Sequence, residues 1–177
     1  TRLVKKGRSV SLSRPLPVKP SPGNPQPVHH YTKKESIGRR GGALDFIGIF
    51  QHGFSLTHLD ALCHTWDEDG MWDGRDPDEE ITFDGARYGS VDQWKDGILT
   101  RGVLLDVPRH RGEPYVTVES PVHGWELEEI LLEQGLTLGP GDALVVHGGR
   151  EAFVEDRGGD LVEGTETPVL HATCIPF

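Results

Sequence analysis

At 177 residues, with 35% hydrophobic and 26% charged side chains, the chain is long enough to bury one sizeable core and has the make-up of an ordinary globular domain. Its formal net charge of −10 argues against a phosphate-binding face and so against nucleic acid as a partner. No apolar run is long enough to cross a bilayer, no signal-peptide pattern opens the chain, and Cys63 and Cys174 are too few for a disulfide scaffold; one cytoplasmic domain over 1–177 is the expectation.

Residues 8–13 alternate polar and apolar and read as a strand, which Pro15 and Pro17 end. The proline density of 15–27 implies an extended, solvent-facing connection, and 15–42 as a whole is a Pro/Gly-rich, basic connecting region. His29 and His30 point opposite ways in extended chain and are expected at the surface, and the basic, glycine-bearing stretch 33–42 reads as a loop. The nearly continuous apolar run at 43–50 reads as a strand buried on both faces, which delivers the chain to His52 and Gly53.

The segment from Gln51 to His64 gathers His52, His58 and His64 with Asp60, the densest set of metal-ligand types in the chain. If residues 57–60 are extended, His58 and Asp60 point to one face and converge, and a nitrogen with a carboxylate oxygen suits zinc or manganese. His64 lies one short turn on and reads as a proton carrier, a role that imidazole fills well. Set against this, a His-x-Asp pair is more often a salt bridge than a ligand pair. Cys63, beside Leu62, reads as a small buried filler and not as a nucleophile.

Trp66 to Glu80 is acidic and reads as a solvated loop, in which Trp66 and Trp72 either wall a pocket for a flat substrate or form satellite core. Ser90-Val91-Asp92-Gln93 has the form of a capping box and predicts a short helix through Trp94 and Lys95. Residues 98–107 read as a buried strand, with Arg101 open to two readings, a carboxylate clamp or a surface ion pair. Residues 108–114 read as a polar turn in which His110 has no evident partner. Residues 125–134 have helical apolar spacing with Gly135 as the stop and the glutamates on the wet face, and 143–147 form the next strand, an α/β succession. His147 and Arg150 follow with no spacing that ties them to His58.

Thr57-His58-Leu59-Asp60-Ala61-Leu62-Cys63-His64 resembles the Thr-His-x-Asp-Ala-x-x-His signature of the metal-dependent cyclase family, which includes bacterial kynurenine formamidases and isatin hydrolases. Asp69-Gly70-Met71-Trp72-Asp73-Gly74, Thr100 to Asp106, Gly139 to Val146 and His171-Ala172-Thr173-Cys174-Ile175-Pro176 are similar to later family segments, in the same order. The resemblance implies a cyclase-like, swivelling β/β/α fold with a mixed β core and flanking helices. It further implies an arylformamidase-type hydrolase of tryptophan catabolism, in which His58 and Asp60 hold zinc or manganese, His64 moves the proton, and the substrate is a small aromatic amide or formamide. A homo-oligomer is also expected.

Two departures from the family pattern matter. A family histidine four residues before the match to His58 is Phe54 here, so the two-metal arrangement does not carry over, and Phe54 is assigned with Trp66 and Trp72 to substrate contact. His52, which would share a face with Phe54 on an unbroken strand, either substitutes as a ligand or makes a structural hydrogen bond. The family's remaining ligands, a histidine and a glutamate, follow the Cys-Ile-Pro segment and have no counterpart, so a domain incomplete at its C-terminus is expected. A lactone hydrolase or dehydratase of the same fold, or an inactive binding relative, are the alternatives.

Overall fold

The computed structural model describes residues 3–52, 55–159 and 170–175. The chain divides into two compact units, Thr1–Gln93 and Trp94–Phe177. Among the described residues the strands form four separate two-stranded sheets, three antiparallel and one parallel, interspersed with short helices, an arrangement consistent with the α/β class.

The first unit opens without regular structure. Residues 8–13 are exposed coil, where a strand was expected: their alternation is real, yet no neighbouring strand among the described residues supplies hydrogen bonds. The proline-rich connection is not wholly solvent-facing. Asn24 and Val28 are buried, the Asn24 amide donates to the Lys19 carbonyl at 3.1 Å, and the Val28 N–H donates to the Pro17 carbonyl at 3.0 Å.

Strands β1 (His29–Ile37) and β2 (Arg40–Gly48) pair along their whole length, from His29 opposite Gly48 to Ile37 opposite Arg40. This corrects the reading of 33–42 as a loop. Gly38-Arg39 is a two-residue connection with positive φ at Gly38 alone (60°), and glycine in that first position suits the turn whose twist matches paired strands. The run 43–50 is a strand as far as Gly48, but β2 is exposed along its length and not buried on both faces. Among the described residues its only sheet neighbour is β1, and both strands are exposed on both faces.

The acidic stretch is more ordered than a solvated loop. It contains the β3–β4 pair (Trp66–Asp67 with Gly70–Met71), α1 (Pro77–Glu80) capped by the Asp76 side chain on the Asp78 N–H, and the β5–β6 pair (Ile81–Thr82 with Gly85–Ala86). The capping box yields a single 3-10 turn, Val91–Trp94, with the Ser90 hydroxyl accepting from the Asp92 N–H at 3.2 Å. Gly97, at φ 80°, follows it.

The second unit holds the contiguous core. Strand β7 (Gly102–Asp106) runs parallel to β8 (Ala143–His147), and α2 (Val107–Arg111) and α3 (Gly124–Gln134) lie between them in sequence. Parallel strands require such a crossover. Leu105, Val107, Val116, Val122, Leu127 and Ile130 are almost completely buried in one cluster. Helix α3 ends where Gly135 adopts φ 62° and its N–H returns to the Leu131 and Leu132 carbonyls. Residues 108–114 begin with α2 instead of a plain turn, because the Asp106 carboxylate caps the Arg109 N–H and Pro108 fits a first turn. His110 has partners after all, Glu133 at 3.0 Å and Glu129 at 3.7 Å. Helix α4 (Arg150–Asp156) packs Phe153 inward, edge-on to Tyr115.

One glutamate of α3 is not on its wet face. Glu126 is 3% exposed and takes two hydrogen bonds from the Arg111 guanidinium, at 2.5 and 2.7 Å, while Arg111 also donates to the Ser120 and Pro121 carbonyls. Arg111 holds the Glu126 carboxyl below the usual carboxylate range, against the opposing effect of burial.

Candidate metal centre

The site lies in the first unit, in the irregular segment that follows β2. Two anchors, one from the proline-rich connection and one from the residue just before it, hold this segment: the Ser55 hydroxyl donates to the Gly23 carbonyl at 2.6 Å, and Thr57 Oγ1 accepts from the Arg14 N–H at 3.2 Å. Neither anchor was legible beforehand, because pairing across 32 and 43 residues leaves no local signal.

His58 Nδ1 lies 3.0 Å from the Leu56 carbonyl oxygen. A carbonyl only accepts, so Nδ1 carries the proton and Nε2 is left with its lone pair. That is how a metal-binding imidazole is ordinarily set by its outer partner. Asp60 Oδ1 accepts from the Ala61 N–H at 3.0 Å and from His64 Nδ1–H at 2.6 Å, and His52 Nδ1 stands 3.7 Å away. The hydrogen bond from His64 is the chief reason the Asp60 carboxyl lies below its ordinary pKa, with the Ala61 N–H adding to it and desolvation opposing.

His64 is placed by the 3-10 turn Leu62–His64, whose middle residue Cys63 is buried and whose Cys63 N–H donates to the Gly89 carbonyl at 3.3 Å. Cys63 therefore fills space, as its neighbours suggested, and its burial aims the residues on either side outward. The His52 ring meets His64 edge-on with centroids 4.3 Å apart, and meets His58 likewise at 5.5 Å.

One ligand atom from each of His52, His58 and Asp60 can be chosen so that all lie within 4.8 Å of one another, and all three residues are exposed. Two imidazoles with one carboxylate, open to solvent, match the donor set of catalytic zinc sites that keep a position for water or substrate. The donor chemistry and the preset His58 tautomer thus fit a divalent cation held by these three residues.

Trp66 and Trp72, both more than half exposed, line a cavity of about 550 Å³ together with Ala61, Leu62 and Met71. Ala61 and Leu62 directly follow Asp60 in sequence, while His52, His58, Asp60 and His64 are not among the residues that line the cavity. Its rim carries Asp67, Asp69 and Asp73. Phe54, the third residue assigned to substrate contact, lies outside the described residues.

The remaining candidates belong to the second unit and make local contacts. Arg101 clamps Asp142 through two nitrogens and donates to the Thr137 carbonyl at 2.7 Å, so the ion-pair reading prevails. His147 pairs with Asp106 at 2.9 Å, its direct neighbour across the parallel ladder, and this interaction is the largest cause of the lowered Asp106 pKa. Both residues end their strands, a signal that parallel pairing would have made readable. His123 and His171 approach within 4.4 Å between ring centroids and share the Thr173 hydroxyl.

No helix among the described residues is long and apolar enough to cross a membrane. No significant match to the chain occurs among curated proteins or among solved structures. The model of one family, described as Putative cyclase, matches residues 10–176, a span that includes the His52, His58, Asp60 and His64 constellation, and the chain belongs to that family.

Proposed function

We propose that the chain is a metal-dependent hydrolase of a non-peptide amide or formamide bond, with His52, His58 and Asp60 as the ligands of one zinc or manganese ion. The observation that carries this reading is the mutual approach of those three ligand atoms within 4.8 Å. Family membership over 10–176 supports a cyclase-like swivelling β/β/α architecture, to which the parallel β7–β8 pair with its helical crossover is suited. Bound at this centre, a divalent cation supplies Lewis-acid polarisation of a carbonyl and raises the acidity of water.

The protein's own part is proton handling and orientation. His64 is fixed through Nδ1–H on Asp60, which leaves Nε2 as the basic nitrogen. In that tautomer it takes a proton from the attacking water and passes it to the departing nitrogen, so that amide and water become acid and amine. The Trp66 and Trp72 rings offer a flat apolar wall for an aromatic substrate of the aryl formamide or cyclic amide type, as in tryptophan catabolism.

The decisive experiment compares two variants of the full chain loaded with zinc or manganese. His64→Ala is expected to abolish hydrolysis of aryl formamides and cyclic amides with metal content nearly intact, and Asp60→Ala to lose the metal. Wild-type turnover in the first, or undiminished metal in the second, overturns the corresponding role.

A further inference from the structure

The second unit has a cavity of its own, about 430 Å³ in volume, walled by residues of α2, of the connection that follows it and of the first half of α3. That volume is in the range of small-molecule sites. What such a site takes is decided by the polar atoms that still have bonding capacity. Arg111 is, histidines apart, the one basic side chain among the described lining residues, and all five of its N–H groups are engaged. Nε and Nη2 hold the two Glu126 oxygens at 2.5 and 2.7 Å, Nη2 also reaches the Pro121 carbonyl at 3.0 Å, and Nη1 serves the Ser120 carbonyl at 2.7 Å and the Ser120 hydroxyl at 3.1 Å. An entering anion therefore meets no guanidinium donor to spare, and Glu126 is itself consumed by the pair.

Acceptors are what remain. His110 Nδ1 lies 3.0 Å from a Glu133 oxygen, which only accepts, so in the neutral ring Nδ1 carries the proton and Nε2 keeps its lone pair. Nε2 stands 3.7 Å from Glu129 Oε2, beyond hydrogen-bond distance. Two lone-pair atoms this close are a receptacle for one shared donor. Glu119 is a further exposed carboxylate on the same wall. Trp125, in the first turn of α3, shows 58% of its surface and stacks within 14° of the His123 plane, ring centroids 6.0 Å apart. An indole face attracts cations more strongly than any other side-chain ring.

We propose that this cavity is a second ligand site, for a small organic cation of the primary ammonium class, whose N–H groups bridge His110 Nε2 and Glu129 while its apolar body lies on the Trp125 indole. Glu119 adds charge of the right sign. An alcohol of the same shape brings one donor and no charge, and a carboxylate faces Glu119 and Glu129 with no free arginine to receive it. None of His52, His58 and Asp60 lines the cavity, so the site is independent of the metal reading.

Isothermal titration calorimetry of the full chain, with chelator present throughout, tests this with phenethylamine as the probe and with phenethyl alcohol and hydrocinnamate as its uncharged and anionic counterparts. The amine is expected to bind with a dissociation constant on the order of 1 mM, and the other two at least about tenfold more weakly. Glu129→Gln should weaken the amine about tenfold and Trp125→Ala about threefold, whereas Trp72→Ala, in the cavity of the first unit, should leave its affinity unchanged. Glu129 and Trp125 are both exposed, so far-UV circular dichroism of either variant should match wild type. A second measurement needs no variant: in the wild-type chain, NMR shifts induced by the amine should gather on the Trp125 indole N–H and the His110 ring. Absence of binding at about 10 mM amine, equal affinity for the alcohol or the carboxylate, folded variants that bind like wild type, or shifts that gather on Trp66 and Trp72 instead overturns the proposal.

Discussion

Asp60 bears two hydrogen bonds at once, accepting His64 Nδ1–H and the Ala61 N–H on Oδ1, while an oxygen of its carboxylate lies within 4.8 Å of a ring nitrogen of His52 and of His58. The nearness of His58 and Asp60, within 4.8 Å, was legible in their two-residue spacing. The contribution of Leu56 was not, since a backbone carbonyl leaves no trace in residue type. His52, left open between ligand and structural roles, comes within reach of both partners, whereas Phe54, four residues before His58, has no donor atom to offer. The Trp72 ring belongs to this scale too. Replacing it by Ala removes one apolar wall of the cavity, and a stacking contribution of about 0.5–1.5 kcal/mol translates into a KM for aromatic substrates up to about tenfold higher. Steady-state kinetics should find kcat nearly unchanged, and an aliphatic amide should be indifferent to the substitution.

Among the elements, β8 and α3 were readable almost to the residue, because an apolar run after Pro140-Gly141-Asp142 and a helical stripe stopped by Gly135 are both local signals. The β1–β2 ribbon was readable only in part, since the apolar run at 43–50 marks β2 as far as Gly48 while the basic stretch 33–42 has the composition of a loop and only Gly38 announces the pairing. Glu126 was misplaced for a related reason: its burial depends on Arg111, fifteen residues away on another helix. Breaking this pair by Glu126→Gln leaves the Arg111 charge without its counter-ion, and a loss of about 3 kcal/mol is expected from urea unfolding at pH 7. The folded carboxyl titrates below its unfolded range, so the stabilisation is complete above that range and disappears as pH falls through the folded value. The urea midpoint of the wild type should therefore drop on acidification below pH 5 by more than that of Glu126→Gln. Gly149, at the start of α4, is held at φ 77° with an added Cβ only 2.4 Å from the Pro114 carbonyl oxygen. Gly149→Ala should destabilise by about 2 kcal/mol or more, read as a lowered thermal midpoint, because both the backbone angle and the space oppose it.

For the molecule as a whole, the two units are held by different means. The second is built on its apolar cluster, whereas the buried apolar side chains of the first are Val28, Cys63 and Met71 among the described residues. Composition and length alone implied a single sizeable core and carried no information on where along the chain it would gather. A unit so poor in core draws stability from what it binds. Zinc at a hundredfold excess over its dissociation constant should raise the unfolding free energy of the unit that holds the triad by about 2.7 kcal/mol. Differential scanning calorimetry with and without chelator checks this, and Asp60→Ala should abolish the response.

The same unevenness of burial sets an order in time. Amide hydrogens of β7 and of α3, which frame the cluster around Leu105 and Leu127, should be the last to trade with deuterium. Those of residues 8–12, in exposed coil, should go within the first seconds, and the Cys63 and Ala61 amides, each locked to a partner beside the candidate centre, should fall between and slow further when zinc is added.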